Sequence, residues 1–420
     1  MKHSIEWQDD ATNAAPEERA TVADLRLELN RQNVTKHIIG EQVSDHVTIA
    51  LYGLAHGLVH DWWTIFGARD REFSLRKYRS GYLLPDVRIR FDGAAFEVYA
   101  HQCAYVDPDL RFWGGTAEVL SRTDGESWLE SLIGDVLARL DAEGMHDTSA
   151  ALRWRRVEAS RHSRDRDFCE AAGGLGLDPY AITDAVAHFI EQAEHLFDHE
   201  PLVEFVSGAT DVDQERLVKW VSRMVGLKGF KYRLAELRPL VDTIDHDTPR
   251  RDNEPAWAAG YRRARAMRRQ LNITQNERLS SFHQIARLFG ASKNYSLAPS
   301  VDGINALRRE TPNGIDVHVR NHGHFDGADI PNRFALARAI GDAACFPAPD
   351  TAPINRLRHA YRQAAGRAFA AEFLAPIEEI LSMRADEHDA YSIAAEMGVS
   401  SQVIEHQLEN QNRIQTACTN

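Results

Sequence analysis

Residues 332–346, NRFALARAIGDAACF, decide how the second half of this chain is read. Phe334, Leu336, Ala337 and Ile340 recur at the three- and four-residue spacing of a helix with an apolar face, so a helix is predicted there. Arg338 and Asp342 stand four apart on that helix and are expected to pair. On an exposed face such a pair is worth about 0.3–0.5 kcal/mol. In a buried cleft it would fill space instead.

Around this helix lies a segment from about residue 255 to 412. It opens with a basic helix, AWAAGYRRARAMRRQLN (256–272). A short strand, GIDVHVR (314–320), leads into the loop NHGHFDGADIP (321–331). After the central helix come a second helix, from about 355 to 375, and a helical pair in DAYSIAAEMGVSSQVIEHQLENQNRI (389–414).

Three stretches carry a resemblance. NRFALARAIGD (332–342) is similar to an R-F-T-L-A-H-E-L-G-H helix, GRAFAAEFLAP (366–376) to a later A-N-x-F-A-A-E-L-L-M-P helix, and AAEMGVSSQVIEHQLEN (394–410) to a closing helix pair. In that order they resemble the ImmA/IrrE family of zinc metallopeptidases. The resemblance implies a zincin-like fold and work on helix-turn-helix repressors, in stress responses or mobile-element control. It also implies a ligand set, and here this sequence departs from the family. The first histidine falls on Arg338, the glutamate on Ala339, the second histidine on Asp342, and the third ligand on or near Ala365. Between Asp350 and Glu372 there is no carboxylate.

That departure removes the chemistry. A catalytic zinc needs three protein ligands and an open position for water. Arginine stays protonated and repels a dication, and alanine has no lone pair to give. The expectation is a pseudoenzyme with no catalytic residues, no metal and no cofactor. It would act by recognising a protein partner, repressor-like or from a neighbouring system, in stress, toxin-antitoxin or phage-defence control. Arg338, Asp342 and the loop residues His318, His322, His324 and Asp326 are expected to rim the old cleft. The H-x3-H-x-H-x-D spacing of that loop also permits a metal, but a strand end running into a glycine loop does not fix the four side chains on one side.

The fold class expected is α+β in three parts: a β-rich N-terminal domain (1–125), a helical middle region (126–245) and the mainly helical zincin-like domain (255–412). In the first, VADLRLELN (22–30) alternates like a half-buried strand. VSDHVTIALYGLAHGLVHDWWTIFG (43–67) reads as one long helix stopping at Gly67. VRIRF and AAFEVYAHQ flank Asp92-Gly93, a strong hairpin signal. TAEVLSR reads as a strand ending at Asp124-Gly125. The middle region carries four helical patterns, in ESWLESLIGDVLARLDAEG, SAALRWRRVEAS, DAVAHFIEQAEHLF and DQERLVKWVSRMV. IDHDTPRRDNEP (244–255) reads as a linker.

Other chemistries compete. His56 and His60 have the helical i, i+4 spacing of a zinc pair, but no glutamate follows His56, and Trp62-Trp63 points to a packed helix. Asp86, Asp92 and Glu97 are placed like the acids of a metal-dependent nuclease, yet Tyr99 stands where its lysine belongs and Asp92 suits a turn. An active hydrolase with an unconventional site and a structural subunit of a larger assembly are the alternatives kept. The net charge of -13 argues against whole-molecule attraction to nucleic acid. The helix pair near the end looks like a helix-turn-helix but holds no Lys or Arg from Ala385 to Asn412, so phosphate would be repelled. Arg155, Arg156, Arg263 and Arg268, in two arginine-rich helices, are the candidate phosphate or partner contacts. Four separated cysteines and the absence of a long apolar run fit a reducing, cytoplasmic setting and no membrane.

Overall fold

The computed structural model describes residues 1–9, 14–101, 110–227, 230–249, 251, 254–323, 329–347 and 350–419. They divide into two compact units, Met1–Ile190 and Glu191–Asn420. Strands and helices mix in both; the sheets concentrate in the first unit and helices dominate the second. The helical stretch read as a middle region is therefore shared between the units, and the boundary falls inside one helix.

In the N-terminal unit, β2 (Val22–Leu29) pairs with β1 (Lys2–Trp7), β3 (Gln32–Asn33) and β6 (Val47–Ala50), all antiparallel. Its alternation is the predicted one: Leu25, Leu27 and Leu29 are buried while Asp24, Arg26 and Glu28 are half-buried. A small sheet joins β10 (Leu110–Phe112), β4 (His37–Ile39) and β5 (Gln42–Ser44). A third runs β11 (Thr116–Ser121), β9 (Ala95–His101), β8 (Asp86–Phe91) and β7 (Phe73–Ser74). The β8–β9 hairpin turns at Asp92-Gly93 as read from sequence. Asp92 Oδ1 accepts from the amides of Ala94 and Ala95, at 2.8 and 2.7 Å, and Gly93 takes φ of 100°.

The helices of this unit are α1 (Pro16–Ala20), α2 (Leu51–His60), α3 (Trp62–Gly67), α4 (Arg122–Ala142), α5 (Ser149–Arg161), α6 (Arg166–Gly174) and α7 (Asp184–Glu194), which holds the boundary. Two expectations need correction. The long helix of 43–67 starts only at Leu51, because the β-branched run Val47-Thr48-Ile49 pairs with β2 instead. The strand read to Asp124-Gly125 stops at Ser121, whose hydroxyl accepts from the Asp124 amide at 3.0 Å and caps α4. α3 and α6 pack backbone to backbone. A methyl group on Gly173 would strike the Trp63 carbonyl, and one on Gly67 the carbonyl of Glu170.

In the C-terminal unit one antiparallel sheet has the order β12 (Arg233–Leu234), β14 (Gly314–Val319), β13 (Ala306–Thr311), β15 (Thr351–Ile354). Around it lie α8 (His199–Ser207), α9 (Gln214–Gly226), α10 (Leu237–Asp247), α11 (Ala256–Gln270), α12 (Phe282–Leu288), α13 (Ile330–Cys345), α14 (Tyr361–Leu374), α15 (Ile377–Ala385), α16 (Ala390–Met397) and α17 (Ser401–Thr419). Ile315, Val317 and Val319 of β14 enter one core with Leu336 and Ile340 of α13 and Phe369 and Phe373 of α14. The helix expected from about 355 begins at Tyr361, since Thr351–Ile354 is taken up as an edge strand on β13. Gly341 lets α14 approach α13: a Cβ there would sit 2.6 Å from Phe369. Gly260 does the same for α11 against the Ala365 carbonyl. No described helix is long and apolar enough to cross a membrane.

Candidate functional site

The helix that opened the sequence reading is α13, and it is buried almost all round: Asn332, Arg333 and every residue from Ala335 to Cys345 lie inside. Ala339 and Ala365, which stand where the resemblance puts a glutamate and a ligand, are fully buried. Arg338 and Asp342 are buried too, and they do not pair with each other as expected. Asp342 Oδ2 accepts from Arg308 Nε of β13 at 2.8 Å. Arg362 Nη2 of α14 donates to Oδ1 and Oδ2, at 2.8 and 3.0 Å. Arg338 instead donates to the Asn355 carbonyl at 2.8 Å and to Gln363 Oε1 at 2.9 Å. The i, i+4 geometry permits a pair, but nearer acceptors on other elements compete with it. A buried cluster has no exposed edge, so these two residues do not rim a cleft.

The network continues through residues that the sequence reading passed over. Arg308 also donates to Glu310 at 2.8 Å and to the Phe346 carbonyl at 3.2 Å. Gln363 Nε2 donates to Glu204 Oε2 of α8 and to the Pro353 carbonyl, each at 2.9 Å. Asn355 Nδ2 donates to the Glu204 carbonyl at 2.7 Å. Glu204 Oε1 accepts nothing, and Arg362 Nε lies 3.8 Å from Oε2. Burial pushes the Glu204 carboxyl up to about 8, against the pull of Arg362. Burial and the neighbouring Arg367 charge push the Arg338 guanidinium down. Burial also opposes the charge on Arg362, but Asp342 and Glu204 hold it above the ordinary arginine range.

Of the expected loop cluster, only His318 and His322 lie within the described residues. His318 sits in β14, buried, against Tyr232 with ring centroids 4.3 Å apart. Ile315, Val317 and Val319 face the helices, so strand alternation turns Asp316 and His318 to the other face of the sheet, away from α13. His322 follows the strand, half-buried, and its amide donates to Asn332 Oδ1 at 3.1 Å. His324 and Asp326 lie outside the described residues.

The other candidates separate as well. His56 Nε2 lies 3.2 Å from Ser149 Oγ, while His60 Nδ1 lies 3.2 Å from Asp61 Oδ1, so the two rings serve different neighbours. Asp86 accepts from Ser74 and Arg88, Glu97 pairs with Arg90, and Asp92 caps its own turn. Among the described residues no three His, Cys, Asp or Glu side chains converge as a ligand set. Arg263 and Arg268, expected as phosphate or partner contacts, are buried. Arg263 pairs with Asp245 at 2.7 Å, and Arg268 donates to the Phe373 carbonyl at 2.6 Å. Arg155 is exposed and reaches Asp147 at 3.1 Å; Arg156 lies over the Tyr180 ring at 4.2 Å.

One surface stands out in the N-terminal unit. Pairing registers put Ile38 opposite Val43 and Arg111, and Trp113 donates its amide to the Lys36 carbonyl. By strand alternation Lys36, Ile38, Val43, Arg111 and Trp113 share one face of the small sheet. Val43 and Trp113 are more than half exposed, and Lys36 lies over the Trp113 ring at 4.8 Å. No family model, curated protein or solved structure matches the chain.

Proposed function

We propose that the C-terminal unit is a peptidase-like scaffold of the ImmA/IrrE type whose catalytic centre has become a structural ion-pair network, and that the protein acts by recognising another protein. The observation that carries this reading is the state of Asp342. Its carboxylate is the one metal-type donor left at the degenerate positions, and both of its oxygens are taken by Arg308 and Arg362. A dication placed there would have to displace two guanidinium groups and would meet Arg338 next to it. Hydrolysis of the zinc type has neither its ligand set nor its general base among the residues at these positions.

Recognition then falls to the surface. The face of half-buried Ile38 and exposed Val43 and Trp113, flanked by Lys36 and Arg111, combines apolar and aromatic groups with positive charge. Such residue types are those of protein interfaces. The partner it suits is an acidic regulatory protein, of the repressor-like kind that the resemblance implies, within stress, toxin-antitoxin or phage-defence control in the cytoplasm. The test has two arms. Metal analysis of the purified protein, with proteolysis assays in the presence and absence of a chelator, addresses the chemistry; stoichiometric zinc with chelator-sensitive cleavage of a repressor overturns the reading. Binding of a co-encoded repressor to the intact protein and to a Val43→Asp, Trp113→Ala variant addresses recognition; equal affinity for both removes that face from it.

A further inference from the structure

The face of the C-terminal sheet turned away from α13 carries buried His318 and Arg320, whose ring and guanidinium nitrogens are not all satisfied. Beside them opens a cavity of about 690 Å³ lined by Lys231, Tyr232, Ser296, Arg320, Asn321 and His322, among others. Arg320, 7% exposed, holds the Val301 carbonyl with Nη1 at 2.6 Å and reaches the exposed Asp302 at 3.4 Å, but its Nε has no acceptor. His322 Nε2 is buried without a partner. Directly behind Tyr232, the His318 ring is 1% exposed, and neither of its nitrogens has a partner.

A neutral imidazole always carries one N–H, and a guanidinium always carries its Nε hydrogen. Buried donors of this kind are nearly always satisfied by protein or by a bound group. The acceptors nearby leave His318 and Arg320 Nε unserved: the Asn305 backbone bonds the His322 ring, Asp316 is engaged by Arg233, at 2.9 and 3.4 Å, and Asp302 sits at the solvent edge. The charged side chains lining the cavity, Lys231 and Arg320, are both cationic. Burial first, then the Arg320, Arg356 and Arg338 charges, hold His322 low. His318 is likewise pushed down to about 4, by burial first and then by Arg309.

We infer that this cavity is a binding site for an oxyanion, the phosphate or carboxylate group of a small ligand, held by Arg320, His322 and Lys231 against the Tyr232 ring. An anion supplies acceptors to the orphaned nitrogens and offsets the clustered positive charge, and charge-assisted bonds to arginine are the strong ones. Asp342 and its guanidinium partners do not line the cavity.

Calorimetric titration of the full chain with inorganic phosphate, with acetate and with adenosine monophosphate tests the inference. The ring signals of His318 and His322 are followed by nitrogen-resolved NMR in parallel. Saturable one-site binding of at least one probe, with both imidazoles shifting together, is expected. Phosphate and the nucleotide binding alike would assign the site to the anion alone; tighter nucleotide binding would add the Tyr232 face. Lys231→Ala on the surface and Arg320→Met inside are each expected to weaken binding roughly tenfold or more. Should Arg320→Met fail to fold, Lys231→Ala and His322→Gln carry the test. Absence of saturable binding by every probe overturns the inference, as does binding that the variants leave unchanged.

Discussion

The sheet of the C-terminal unit carries buried charge on both faces, and the two faces are finished differently. Toward α13, Arg308, Asp342 and Arg362 close on one another, and each Asp342 oxygen has a donor. On the far face His318 has none, and Arg320 Nε is left over. Both faces bury arginine at similar depth. The difference lies in the carboxylate: on one face Asp342 matches two guanidinium groups, although Glu204 Oε1 and the Nε atoms of Arg338 and Arg362 stay unpartnered, and on the other no carboxylate reaches His318 or Arg320 Nε. A matched cluster holds a fold together, whereas an unmatched one is stable only where a ligand completes it or the fold tolerates its cost.

The largest effect is expected at the matched face. Asp342→Ala leaves Arg362 buried without its carboxylate and Arg308 with Glu310 and the Phe346 carbonyl alone, and removing one partner of a buried pair costs about 3–5 kcal/mol. Denaturant unfolding of the C-terminal unit measures it; a loss under about 1 kcal/mol would mean that the two guanidinium groups find water, and the contrast between the faces would fail. Gln363→Leu comes next, because it takes an acceptor from Arg338 and a donor from Glu204. A loss of about 1–3 kcal/mol is expected for it.

Acidity sharpens the comparison further. The Glu204 carboxyl rises from its ordinary 4.5 to about 8 in the folded chain, so the native state binds a proton that the unfolded state releases. Its contribution is intact below about 4.5 and declines as pH rises toward 8. Glu204→Gln should flatten the unfolding profile across that window. His318 has the opposite sign. Its ring falls from 6.5 to about 4, so its contribution is intact above 6.5 and declines as pH drops toward 4. His318→Leu should remove that acid slope and leave neutral-pH stability unchanged or higher, since no partner is lost. A marked loss at neutral pH would reveal a bond to this imidazole and place the far face with the matched one. The smallest effect belongs to exposed Arg155→Ala, expected within about 0.5 kcal/mol.

How much of this was legible in sequence differs by kind of feature. The β8–β9 hairpin was readable because Asp92-Gly93 is a local signal between alternating strands. α13 was readable because its period is local too. Its surroundings were not. Arg308 lies 34 residues before Asp342 and Arg362 lies 20 after it, and Glu204 reaches Gln363 across 159. Arg263 and Arg268 looked like a solvated basic face, yet burial against Asp245 and the Phe373 carbonyl takes them out of reach of phosphate. An arginine-rich helix has the same appearance in sequence whether its charges meet water or carbonyl oxygens.

The chain by itself therefore determined what cannot occur at residues 338, 339, 342 and 365: an arginine, two alanines and a single aspartate carry too few lone pairs for a catalytic zinc, in any arrangement. It also determined the helices and strands whose periodicity is local. Only the tertiary structure decided which cations neutralise Asp342, which face His318 takes, and where donors outnumber acceptors. Those outcomes depend on which elements are brought together across the sheet, and hydrophobic period specifies the side of an element that is buried without naming the charge it will meet there.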